Sequence, residues 1–92
     1  MIRPTVRQRP GFAHWRYERN LNLRDTAQLI EQAALAIGEE LTCSHEMVRL
    51  LCLPFGSQRR RVPGPAMMRA IGHLTSGVIR EGDFFETQRE AA

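Results

Sequence analysis

Leu23, Ala27, Ile30, Ala34, Ile37 and Leu41 recur at intervals of about 3.6 residues. This stripe constrains the chain more than any other feature, because an apolar series of that period is buried only as one face of an α-helix. Asn22 stands before it as an N-cap, and Asp25 places a negative charge in the first turn. Gly38 marks its end or a loosened last turn. Leu29, Ala33 and Ala36 widen the apolar face, which implies two packing neighbours rather than one.

Two further helices follow from the same reasoning. Gly64 and Pro65 suit an N-cap and a first helical position, and Met67, Ala70, Ile71 and Leu74 then lie on one face of a helix running to about Thr75. Gly77 can take the left-handed position beyond its end. Upstream, Thr42 is the expected cap of a helix running through Cys52. Its Met47, Val48, Leu50 and Leu51 share one arc, and His45, Glu46, Arg49 and Cys52 share the other. Pro54 and Gly56 stop it. Phe12 to Arg19 reads equally as a short helix or as an extended segment whose aromatics dock on the core. Val78-Ile79 is expected to be extended, Gly82-Asp83 to turn, and Phe84-Phe85 to close the core. The expected fold is all-α, four to five short helices with a basic N-terminal arm. Its core comprises Leu23, Ile30, Ile37, Val48, Leu51, Ile71, Leu74 and Phe84. With 92 residues there is one domain, spanning 12–86, between a flexible basic arm at 1–11 and a frayed tail at 87–92.

Charge adds a partner class. All 13 basic residues are Arg, and residues 1–19 hold five of them (Arg3, Arg7, Arg9, Arg16, Arg19) against Glu18 alone. Arg59-Arg60-Arg61 cannot be buried unpaired, so these guanidinium groups face water or an anion. Arginine matches phosphate with a planar fork, although GC-rich coding produces the same bias. Cys43 and Cys52, nine residues apart, fall on opposite sides of a helix and about 13 Å apart along it, too far for a disulfide. Unpaired thiols suit a reducing compartment. Nothing resembles a signal peptide or a membrane span, so a cytoplasmic location is expected. Cys43, His45, Cys52 and His73 lack structural-zinc spacing, so no metal and no cofactor are expected. No nucleophile with a base, phosphate loop or paired carboxylates points to an enzyme or a small-molecule substrate.

The run Arg61-Val62-Pro63-Gly64-Pro65-Ala66-Met67-Met68-Arg69-Ala70-Ile71, then Leu74-Thr75-Ser76-Gly77-Val78-Ile79 and Asp83-Phe84-Phe85, resembles the C-terminal half of small phage-type regulators. These are the Cro-like, or lambda-repressor-like, helix-turn-helix proteins. The resemblance covers about a quarter of the chain and implies a small helix-turn-helix bundle whose recognition helix lies on Thr42 to Cys52. The N-terminal half departs from the pattern, offering one long helix where two short ones with a tight turn are expected. Either Phe12 to Arg19 is the first helix and Leu23 onward an elongated second, or the long helix breaks near Gln32.

On that resemblance, Ser44, His45 and Arg49 face the groove of double-stranded DNA, Arg49 being the residue for bidentate base contact. Arg59, Arg60 and Arg61 hold phosphates, while Arg3, Arg7 and Arg9 follow the backbone or enter the minor groove. The expected function is sequence-specific transcriptional regulation, phage-related, by a homodimer with Met68 and the C-terminal aromatics as candidate contact. The alternative is a small helical protein-interaction module, an adaptor or a partner-neutralising protein. An uncovered side on the long helix would favour it.

Overall fold

The long stripe folds as α2, Leu23–Ala36, without a break near Gln32. The computed structural model describes residues 9–85. Within them α1 spans Gly11–Glu18, α3 His45–Leu51 and α4 Pro65–Leu74, and a 3-10 turn closes the fold at Glu81–Phe84. The described residues are helical, turn or irregular, with no strand, so the fold is all-α.

Both ends of α2 are closed chemically. Asn22 Oδ1 accepts the Asp25 N–H at 2.7 Å, and the Thr26 hydroxyl donates to the Asn22 carbonyl at 2.7 Å. At the other end Gly38 takes φ +81°. That lets the Gly38 N–H reach Leu35 O at 3.1 Å and the Glu39 N–H reach Ala34 O at 2.9 Å, so two carbonyls that the helix would leave open are satisfied. α4 ends in the same way: Gly77 takes the expected left-handed position at φ +81°, preceded by Ser76 at φ +56°. Gly77 N–H then bonds Gly72 O at 2.8 Å.

α2 packs on both α3 and α4, as its wide apolar face requires. Ala27, Ile30, Ala33 and Ala34 are buried there against Val48, Leu51, Met67, Ala70 and Ile71. Three members of the expected core behave otherwise. Leu23 and Leu74 are only partly buried, at the rim of the cluster. Ile37 is 36% exposed, because the chain leaves the helix at Gly38 before a neighbour can cover it, and Leu35, on the opposite side of α2, is 72% exposed.

Phe12 to Glu18 is helical, and the extended alternative does not occur. Phe12 stacks on Trp15 with centroids 5.9 Å apart and meets Phe84 at the same distance, tilted by 48°. The 3-10 turn therefore packs against α1 and plugs the core with Phe84, while Phe85 stays 48% exposed. The domain boundary also moves: Pro10 is buried at the N-cap of α1, so residues 9–11 belong to the folded unit and not to an arm. The rest of the expected arm, residue 86 and the expected tail at 87–92 lie outside the described residues. No described helix is long and apolar enough to cross a membrane.

Candidate nucleic-acid interface

α3 begins at His45, later than Thr42 would cap it, and the chain before it is tied to α2. Glu31, on α2, accepts the Cys43 N–H on Oε2 at 2.6 Å. Ser44 is then the first residue free to cap, and its Oγ accepts the Met47 N–H at 3.1 Å. The expected groove residue Ser44 therefore commits an acceptor to the helix, leaving its hydroxyl proton to donate.

His45 is exposed on the first turn of α3, where Asn22, Leu23 and Arg24 line an open concavity with it. The start of α2 and the start of α3 thus share one surface. Glu46 and Arg49 follow on the exposed side, their side chains 53% and 42% exposed. Arg49 is not free: its Nε donates to Glu46 Oε1 at 3.0 Å and its Nη2 to Oε2 at 2.5 Å. The Arg49 hydrogen bonds hold the Glu46 carboxyl below the ordinary carboxylate range, and the charges of Arg49, His45 and Arg59 act in the same direction. Cys52, placed on the polar arc by its phase, is buried instead as the C-cap residue.

The arginine loop folds back on this helix. The Arg61 N–H donates to Leu50 O at 3.1 Å, and Glu46, Leu50, Gln58, Arg59, Arg60 and Arg61 together line a cleft of ≈ 380 Å³. Its three arginines differ. Arg59 and Arg61 are exposed and have no carboxylate partner among the described residues. Arg60 turns inward: Nη1 donates to the Phe84 carbonyl at 2.5 Å, and the guanidinium sits 4.9 Å from the Phe55 ring centroid. It joins the loop to the aromatic plug, which commits one Nη1 donor of this expected phosphate ligand to the fold.

Arg9 is likewise engaged, Nη1 donating to Cys52 O at 3.0 Å at the far end of α3. Arg3 and Arg7 lie outside the described residues. Glu39, an unfavourable neighbour for phosphate, is paired with Arg69 of α4.

Neither thiol has the environment of a nucleophile or a metal ligand. Burial pushes the Cys52 thiol up, opposed by a hydrogen bond from Arg16 and by the charges of Arg16 and Arg9. Burial, reinforced by the Glu31 charge, raises Cys43 from 9.0 to about 11. The unfolded chain loses this proton first, so the folded state holds more protons from about pH 9 to about pH 11 and stability falls as pH rises through that window. Urea titrations across that range are expected to show this decline, and Cys43→Ser to flatten it. A parent whose midpoint does not move there would contradict the assignment. Among the described residues no three His, Cys, Asp or Glu cluster as a metal site.

Three residues at or beneath this surface escape sequence reasoning: Arg24, Gln58 and Glu31. For Arg24 there was a signal, since a cation in the first turn of a helix opposes the macrodipole and needs another reason to stand there. For Gln58 and Glu31 there was none, because both act through partners brought in by folding. The chain matches no protein-family model, no curated protein and no solved structure.

Proposed function

We propose that this protein is a sequence-specific duplex-DNA-binding regulator, phage-related as its resemblance suggests, with α3 as the recognition helix. One observation carries the reading: the Arg61–Leu50 backbone bond sets Arg59 and Arg61, exposed and without a carboxylate partner among the described residues, beside the exposed face of α3. A groove-sized element and phosphate-binding groups then address the same target from one surface. Arg59 and Arg61, with Arg24 at the other end of the helix, supply phosphate contacts, which set affinity and register. His45 and Arg49 supply contacts to base edges. One such helix covers half a site, so two copies bind a two-fold-related operator.

The second reading, a helical interaction module, draws on Leu35 and Ile37, which leave an apolar end on α2 uncovered. The DNA reading is favoured because the body of α2 is covered within one chain. Titration of random-sequence duplex at low and moderate salt separates the two. The DNA reading expects log affinity to fall linearly with log salt, by about 0.9 for each phosphate contact. Absence of binding even at low salt would favour a protein partner.

A further inference from the structure

We propose that Glu46 is the specificity-determining residue of this surface: it holds Arg49 in the orientation that reads guanine and withholds it from phosphate. The proposal rests on the DNA reading above and deepens it. Its basis is which edge of the guanidinium is occupied. Arg49 has five N–H donors, and the pair with Glu46 uses the side edge, Nε to Oε1 and Nη2 to Oε2. The terminal edge remains open, with one Nη1–H and one Nη2–H pointing outward in parallel. That fork matches O6 and N7 of guanine in the major groove.

Left alone on a helix, Arg49 would sweep through many rotamers and meet any phosphate in reach. Glu46 precedes it by three residues, the spacing at which helical side chains are neighbours, and the acidic partner lies nearer the N-terminus, the favoured order. The pair therefore fixes the arginine without help from the core. Glu46 also lies near His45 and the Arg59 guanidinium, so a carboxylate stands within the basic surface. If Arg49 swings away to a phosphate on a non-cognate duplex, that carboxylate loses its partner and faces the DNA backbone. The same two residues thus reward the guanine contact and penalise the indiscriminate one.

The test uses the full chain, its Glu46→Ala, Glu46→Gln and Arg49→Ala variants, a duplex selected from a random pool by the parent, and random duplex. Glu46→Ala is expected to weaken binding to the selected duplex while strengthening binding to random duplex. Its salt slope on random duplex should steepen by about 0.9 for each protomer engaged, because each released Arg49 adds one phosphate to those already neutralised. The ratio of the two affinities falls about tenfold, the lower part of the range for one bidentate base contact. Glu46→Gln removes the charge while keeping the shape, and gives the same direction with a smaller loss on the selected duplex. Replacing each selected-site guanine in turn by 7-deazaguanine, which lacks N7, should weaken the parent at one position in each half-site and leave Arg49→Ala indifferent there. An unchanged affinity ratio in both Glu46 variants overturns the proposal, as does a parent indifferent to 7-deazaguanine everywhere. A parent that binds no duplex overturns the DNA reading itself, and this proposal with it.

Discussion

Phe84→Ala is expected to remove about 3–5 kcal/mol of folding stability, measured by urea denaturation, the usual range for truncating a buried aromatic. A domain of this kind has about 5–15 kcal/mol in total, so much of the population would lose its packing near the growth temperature. The size follows from position. Phe84 is fully buried, contacts Phe12 of α1 ring to ring, and offers its carbonyl to Arg60. Truncation therefore opens a cavity at the place where α1, the 3-10 turn and the arginine loop meet. Trp15, stacked on Phe12, reports the change in its fluorescence. Phe85→Ala is the control: with half its surface already in water, its loss should stay within about 0.5 kcal/mol, as surface substitutions generally do. Equal effects at the two positions would mean that Phe84 does not plug the core.

The double variant Arg59→Ala with Arg61→Ala is expected to weaken binding to every duplex about a hundredfold for each protomer engaged, at two charge-assisted contacts of about 1.5 kcal/mol each. Its slope of log affinity against log salt should flatten by about 1.8 for each protomer engaged. Because phosphate contacts carry no sequence information, selected and random duplex suffer alike. Neither side chain is buried or paired with a carboxylate among the described residues, so the melting temperature stays put. Arg60→Ala behaves oppositely: it leaves the Phe84 carbonyl without its donor, lowers stability and changes the salt slope little. This contrast between adjacent arginines is the sharpest check on the loop. A double variant with the parent's affinity and slope would make Arg59 and Arg61 merely solvated.

The helices were legible because their signals are local. The caps of α2 and α4, at Asn22 and at Gly64 with Pro65, are chemical statements within three or four residues, and the apolar periods between them need no tertiary knowledge. Errors begin where a distant partner intervenes. Thr42 is an adequate cap in isolation, but the Cys43 N–H is bound by Glu31 of α2 and the cap is Ser44. Ile37 keeps perfect phase with the stripe and is nevertheless exposed, since periodicity says which face a residue shares and not how far a neighbour extends.

The candidate site divides along the same line. Composition and spacing alone determined that this is an all-α chain, that α3 carries His45, Glu46 and Arg49 on an exposed side, and that three arginines precede α4. Only the tertiary structure decided which arginines remain available. Arg59, Arg60 and Arg61 are chemically identical, and a sequence has no means of ranking them. The folded chain separates them because one lies within reach of the Phe84 carbonyl and the Phe55 ring while its neighbours point to water. The same holds for Arg49, where helical spacing allows a pair with Glu46 but only the folded geometry assigns it to the side edge of the guanidinium. Local backbone preferences act over a few residues and can be read in order. The allocation of charge depends on groups as far apart as Arg60 and Phe84, and folding alone brings those together.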